Sequence, residues 1–308
     1  MFLGVVNVAA GLGAGTAGGL DWRYFAAGGI SAALSHGYTT PVDVVKTRMQ
    51  TNPELYNGSV PVAVRRILED EGALFLLQGL APTCIGYGVE GALKFGCYEL
   101  CKPLFATLTS SDFVNLLLAS TVAGAIASVV LCPAEDVRIR LVSDPSYAPG
   151  AVAALSKIAK TEGTFSSFKS LPAMLAKQVP YTMGKQVSFD FFCELAHGMF
   201  AVVATDALMR QRLDGFTPVV AALPSAIIAC VLSHPGDAVL TEYTSKSQAL
   251  DMHDDVLGSL LTILGTGGFK GLFTGIKARL LHIIGILWIQ LVIYDKLKQL
   301  LGLPATGH

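Results

Sequence analysis

The stretch Pro41-Val42-Asp43-Val44-Val45-Lys46 recurs as Pro133-Ala134-Glu135-Asp136-Val137-Arg138 and again as Pro235-Gly236-Asp237-Ala238-Val239-Leu240. The three prolines stand 92 and 102 residues apart. About 30 residues beyond each proline come the pairs Glu71-Gly72, Glu162-Gly163 and Gly267-Gly268, and seven residues after the second member of each stand Gly79, Ser170 and Gly275. From those three anchors an aromatic-acid pair follows at +19 and +20 every time: Tyr98-Glu99, Phe189-Asp190 and Tyr294-Asp295. Chance does not hold such a spacing three times, so the chain is an internal repeat with a period of about a hundred residues.

Composition places the repeat in a bilayer. Of 308 residues 52% are hydrophobic and 15% charged, against roughly 25% charged in a soluble domain. Uncharged stretches near the ~20 residues of a membrane helix run from Tyr24 to Val42, Phe113 to Ala134 and Phe216 to Gly236. Others, such as Leu171 to Cys193, are interrupted by Lys, Pro or Gly, as expected of helices that line a polar interior. The formal net charge of −1 gives no global basic field, which excludes nucleic-acid binding. Cys84, Cys97, Cys101, Cys132, Cys193 and Cys230 form no zinc-type spacing and read as small hydrophobes, so no metal site is expected. No nucleophile-base constellation speaks for an enzyme, and no cofactor is expected.

Each unit reads as a long apolar helix ending near its Pro-x-acid motif, a loop with a short amphipathic helix, and a second long helix ending at the aromatic-acid pair. A proline inside an apolar run needs neighbouring helices to satisfy the freed carbonyl. The expected fold is an all-α membrane protein: six transmembrane helices from three tandem repeats with pseudo-threefold symmetry. The helices are predicted near residues 22–49, 80–105, 113–143, 171–199, 214–246 and 274–301. Repeats 22–108, 109–212 and 213–308 follow a flexible tail over 1–21, which lacks the arginines of a transit peptide and the basic start of a signal peptide.

Cation counting gives the orientation. Lys46, Arg48, Arg65, Arg66, Arg138, Arg140, Lys157, Lys160, Lys169, Lys246 and Lys270 lie with the intra-repeat loops, whereas Arg23, Lys102, Arg210, Arg212, Lys296 and Lys298 lie on the other side with both termini. The positive-inside rule turns the intra-repeat loops toward the cytoplasm-equivalent compartment, in a mitochondrion the matrix.

Three repeats carrying Pro-x-acid-x-x-base, an acid-Gly pair and aromatic-acid-x-x-base resemble the mitochondrial carrier family over residues 22–301. Within it His36, residues 41–50 (PVDVVKTRMQ), residues 81–87 (APTCIGY), Lys94-Phe95-Gly96 with Tyr98-Glu99, residues 177–183 (KQVPYTM) and residues 233–237 (SHPGD) look most like the phosphate carrier branch. The resemblance implies a pseudo-threefold transporter in the lipid bilayer of the mitochondrial inner membrane, with cardiolipin among its lipid partners. It would bring phosphate into the matrix with a proton or in exchange for hydroxide.

Two gates are expected. Asp43 with Lys46 and Glu135 with Arg138 are acid-base pairs at the ends of the first and third long helices, and meeting around an axis each acid can bridge to the next repeat's base. The third repeat has Asp237 but Leu240 in place of the base. Toward the cytoplasm Glu99/Lys102 and Asp295/Lys298 are complete, whereas Asp190 is matched by Cys193. Each gate therefore has two bases for three acids. Exposed pairs are worth ~0 to 1 kcal/mol and occluded ones more, which suits a protein that opens either way.

Setting aside the cations named above leaves Lys94, Lys177, Lys185, Lys277 and Arg279, all in even-numbered long helices. The same subtraction on acids leaves Glu90. An excess of interior positive charge is costly unless an anion or water receives it. From the three anchors the +7 positions are Gly86, Lys177 and His282, the +11 positions Glu90, Tyr181 and Ile286, and the +15 positions Lys94, Lys185 and Gln290. Steps of four keep these on one helical face. The resemblance makes +7 a substrate contact, so Lys177 with Gln178 and His282 would grip phosphate and Gly86 would leave room beside them. Lysine suits phosphate as a point charge with three donors. Lys277 and Arg279, close to a helix start, read equally as interior or as reaching to the interface.

His36 reads either as a hydrogen-bonded core residue or as a proton-handling group, with His234 and Tyr181 as weaker candidates. The branch typically has acids nine and five residues before the second repeat's proline, where this chain has Gly124 and Ser128. Glu90, one turn from Lys94, is the candidate for the displaced carboxylate, against the simpler reading that it only pairs with Lys94. Asn57-Gly58-Ser59 matches a glycosylation sequon by coincidence, lying in a loop read as matrix-facing. Two functions remain, a phosphate or small-anion transporter and a carrier-fold protein serving as a structural partner of a membrane complex.

Overall fold

A computed structural model describes residues 21–51, 60–144, 146–250, 256–274 and 276–306. The tail over 1–20, the sequon at 57–59 and the anchor Gly275 lie outside the described residues. The described chain is helical, with long helices α1 (Trp22–Thr51), α3 (Leu80–Phe105), α4 (Asp112–Ser143), α6 (Leu171–Val203), α8 (Thr217–Leu250) and α10 (Ile276–Leu300). Short helices α2 (Val60–Asp70), α5 (Ala151–Thr161) and α9 (Val256–Gly271) follow the first long helix of each repeat, and α7 (Ala207–Asp214) joins the second repeat to the third. All six long helices fall where the repeat predicts them. The fifth starts three residues late, because α7 takes residues up to 214 and Asp206 caps it by accepting from Met209 N at 2.7 Å.

The long helices close a ring in the order α1, α3, α4, α6, α8, α10 and back to α1. By length and composition alone two segments qualify as membrane spans, Asp112–Val142 and Ala207–Tyr243, with a third if the bent pair Val60–Asp70 and Ala73–Phe105 is counted as one. α1 is uncharged from Tyr24 to Val42 but rich in Gly, Ser, Thr and Tyr, which lowers its hydropathy, whereas α6 carries Lys177, Lys185 and Asp190. Apolar side chains such as Leu34, Tyr38, Ile85, Val220 and Leu232 are exposed on the outside, as lipid-facing surface requires. Interior prolines Pro41, Pro133 and Pro235 sit within continuous helices, where packed neighbours can serve the freed carbonyls.

The acid-Gly anchor acquires a structural meaning. Gly72, Gly163 and Gly268 have φ of 82°, 101° and 58°, a left-handed backbone that glycine adopts without Cβ strain. The preceding acid receives the arginine at the end of the first long helix: Arg48 Nη2 lies 2.6 Å from Glu71 and Arg140 Nη2 2.9 Å from Glu162. The third repeat has Glu242 in place of the arginine and Gly267 in place of the acid, so acid and base are lost together.

Candidate functional site

The centre of the ring is built from the even-numbered long helices of the three repeats, α3, α6 and α10. Residues at +11 and +15 converge there. Glu90, Lys94, Lys185 and Gln290 are 0 to 2% exposed. Lys94 Nζ makes a short ion pair with Glu90 Oε1 one turn away, and Gln178 Nε2 approaches the same oxygen at 3.4 Å. Lys185 Nζ has only Gln290 Oε1 at 3.4 Å and the rings of Phe95 and Tyr181 at 4.4 and 5.5 Å. Among the described residues it has no carboxylate within ion-pair distance. An aromatic face attracts a cation but does not neutralise it, so one lysine charge at the centre stands without a counter-ion.

The +7 residues sit nearer the Pro-x-acid motifs, and the motif acids engage two of them. Lys177 Nζ is 3.1 Å from Asp237 Oδ1. His282 Nε2 is 3.2 Å from Asp43 Oδ1. Gly86 is a packing position here: a Cβ added to it would lie 2.7 Å from that of Ala134 on α4, so its lack of side chain brings α3 and α4 together.

At this end of the ring the expected bridge from one repeat's motif acid to the next repeat's motif base forms once, Arg138 Nη2 to Asp43 Oδ2 at 3.7 Å. Lys46 is exposed and makes no ion pair among the described residues. Leu240 packs beside the buried cluster of Leu131, Cys132 and Met174, so the position missing its base faces apolar side chains. Asp237 turns instead to Lys177 and to Arg279, whose Nε is 3.3 Å away. Arg279 is 8% exposed and its guanidinium also meets Ser233 Oγ at 3.0 Å and His234 Nδ1 at 3.2 Å. Of the two cations left open as interior or interfacial, Arg279 is interior and Lys277 exposed. Glu135 accepts from Arg138 Nη1 at 3.0 Å and, in a short contact, from the Tyr87 hydroxyl. Tyr87 stacks on His36 with ring centroids 3.7 Å apart, which places His36 beside this network. His234 Nε2 lies 3.2 Å from the Thr274 carbonyl.

At the opposite end Lys102 Nζ bridges Glu99 at 3.1 Å and Asp190 at 2.7 Å, and the Tyr98 hydroxyl donates to Asp190 at 2.9 Å. Cys193, in the base position of the second repeat, is fully buried among Phe95, Phe189 and Leu291. Lys298 and Asp295, the complete acid-base pair of the third repeat, make no ion pair with each other among the described residues. They bind the returning chain after α10 instead: Lys298 Nζ donates to Thr306 Oγ1 at 3.1 Å, and Asp295 Oδ1 accepts from Thr306 N at 2.8 Å. The Thr306 carbonyl lies 3.2 Å from His197 Nε2. Sequence reading gave no separate role to Tyr87, the last residue of the stretch 81–87, or to Tyr98, the aromatic preceding Glu99, and it missed Thr306, which carries no repeat signal.

The replaced acids of the second repeat sit at a packed contact. Ser128 Oγ donates to the Gly124 carbonyl at 2.7 Å, and a Cβ on Gly124 would lie 3.1 Å from Thr182. A longer side chain at Gly124 would need α6 to move. Among the described residues no group of acids, histidines and cysteines could hold a metal ion.

Residues 21–108, 109–200 and 212–304 each match the family described as Mitochondrial carrier protein. The chain is 36% identical over 290 residues to Mitochondrial substrate carrier family protein N of Dictyostelium discoideum, which covers 91% of this chain and 95% of that one. It is 32% identical over 293 residues to Phosphate carrier protein, mitochondrial, of Caenorhabditis elegans, covering 93% and 83%. Solute carrier family 25 member 3 of Homo sapiens is 30% identical over 281 residues, covering 89% and 75%.

Proposed function

Because the chain belongs to the mitochondrial carrier protein family, a multi-pass transporter of the mitochondrial inner membrane, we propose that it moves inorganic phosphate into the matrix. The observation that carries this reading is Lys185, a fully buried lysine with no carboxylate within ion-pair distance among the described residues. An unpaired charge in a low-dielectric interior is costly, and a transported anion relieves that cost while it is bound. Relatives named as phosphate carriers support the choice of anion.

In this reading the anion meets Lys177 and His282 at +7 with Gln178 beside them, and Lys94 and Lys185 at +15, polar groups that replace part of its hydration shell. The Pro-x-acid end, with Asp43, Lys46, Glu135, Arg138 and Asp237, is the matrix gate. The aromatic-acid end, with Glu99, Lys102, Asp190, Asp295 and Lys298, is the cytoplasmic gate. Phosphate enters with a proton or against hydroxide, and Glu90 and His36 are the groups assigned to that proton.

The packing at Gly124 and Ser128 favours a second reading in one respect. With no acid there, the proton route differs from the branch's usual one, and a different small anion, or a structural role without transport, would fit the same fold. Purified protein in liposomes separates these readings. Radiolabelled phosphate uptake, faster with an acidic outside and largely lost in Lys177→Ala, is expected; absence of uptake, or half the wild-type rate in the variant, would count against the site.

A further inference from the structure

Three seams join the repeats at the Pro-x-acid end, and among the described residues each is crossed by one contact between a motif acid and a basic or imidazole side chain. Arg138 to Asp43 crosses from repeat 2 to repeat 1 at 3.7 Å, Lys177 to Asp237 from repeat 2 to repeat 3 at 3.1 Å, and His282 to Asp43 from repeat 3 to repeat 1 at 3.2 Å. Only the first uses a motif base. The other two use the +7 residues, which the phosphate reading above, on which this inference rests, assigns to the substrate.

We propose that Asp237 is a built-in competitor of the anion for Lys177, so that phosphate opens the seam between repeats 2 and 3 by taking that lysine away. A carboxylate and a phosphate ask the same ammonium donors for the same kind of bond, and two anions side by side on one lysine repel each other in a poorly screened interior. Charge balance permits the exchange. Removing one partner of a buried pair is strongly destabilising when the other is left alone, but Asp237 keeps Arg279 at 3.3 Å when Lys177 leaves. Ser233 and His234 hold that guanidinium in place from α8, at 3.0 and 3.2 Å. Arg279 is therefore a positioning residue: it retains the released acid and stands in for the base missing at Leu240. Asp43 is provided for in the same way, since it keeps Arg138 when His282 turns to the anion.

The test is isothermal titration of inorganic phosphate into the purified full-length chain. Asp237→Asn removes the competitor and should tighten phosphate binding roughly tenfold. The charge-balanced Asp237→Asn/Arg279→Gln removes the buried guanidinium together with its acid, leaves the half-buried Lys177 free for the anion, and should tighten binding as well. In both variants the phosphate-free protein should melt at lower temperature, because a seam has been released. Unchanged or weaker binding in the two variants, with binding intact in the wild type, overturns the competition. A wild type that binds no phosphate overturns the phosphate reading itself, and the proposal falls with it.

Discussion

Lys102 on α3 lies 2.7 Å from Asp190 on α6, tying repeat 1 to repeat 2 at the aromatic-acid end. The pair is mostly enclosed, and the Tyr98 hydroxyl is a second donor to the same carboxylate. Replacing Lys102 with Met should weaken this end by about 2 kcal/mol, the scale of a hydrogen bond to a charged group. The fully buried Cys193 thiol close by is the reporter. A membrane-impermeant maleimide should label it several-fold faster in Lys102→Met, as read by mass spectrometry, and an unchanged rate would show that Lys102 does not close this end.

Lys185 makes an unusual forecast, stability gained and function lost in one substitution. Lys185→Met keeps the volume of the side chain while removing a buried charge that, among the described residues, meets Gln290 and two rings. Burying such a charge costs several kcal/mol, so the melting temperature should rise by several degrees while phosphate uptake disappears. A fall in melting temperature would mean that Lys185 has a structural partner.

Gly236 sets the approach of α8 to α6. A Cβ there would strike the Ala176 carbonyl and the Lys177 backbone nitrogen, so the glycine is what lets Asp237 reach Lys177. Gly236→Ala should cost about 1 to 3 kcal/mol, the range for overpacking a tight contact. Its phosphate affinity should change with the lost Lys177 contact. Wild-type stability and affinity in this variant would show that the helices separate freely there.

Glu90 pairs with Lys94 and approaches Gln178, two of the residues assigned to the anion. Glu90→Gln should abolish the acceleration of net uptake by an acidic outside while phosphate-phosphate exchange, which moves no net proton, continues. Equal loss of both modes would reduce Glu90 to the counter-ion of Lys94 and leave His36, stacked on Tyr87, as the group to test.

On the loop side of the ring, hydrogen bonds from Arg140 hold the Glu162 carboxyl below its ordinary range. A carboxyl whose pKa falls on folding contributes stability above its unfolded pKa of ~4.3 and loses it as pH drops through the folded value. Glu162→Gln should therefore lower the melting temperature at pH 7, and the difference from wild type should shrink as pH falls below the unfolded pKa of ~4.3 and vanish in acid below the folded one. Glu162 is partly exposed, so the effect is small and screened by salt. A difference that persists in acid would assign it to packing.

The fold was legible because spacing is a one-dimensional property. Anchors, prolines and aromatic-acid pairs keep their distances along the chain, and the +7, +11 and +15 registers project from one face by helix geometry alone, which is why Glu90, Lys94, Lys185 and Gln290 could be grouped before any contact was seen. Partner choice was not legible. Asp237 could be paired on paper only with a motif base, whereas the structure offers it Lys177 and Arg279 from two other helices. Thr306 reaches Lys298 and Asp295 because the chain turns back after α10, at Gly302 with φ 73°, and no periodic pattern announces such a return. Arg48 and Arg140 entered the sequence reading only as cations to be counted, and their contacts with Glu71 and Glu162 are what show that Glu242 and Gly267 mark the loss of one feature in the third repeat.

Among the described residues Asp43 meets basic side chains across two seams and Asp237 across one, whereas Glu135 is ion-paired only to its own Arg138 and crosses to repeat 1 by a hydrogen bond from the neutral Tyr87 hydroxyl. Three positions that descend from a common ancestral motif thus carry unequal burdens. Selection acting on transport would purge changes at Asp43 most severely and tolerate them most readily at Glu135, so in a library of random variants grown under demand for the carrier, survivors would keep the first carboxylate and drift at the second.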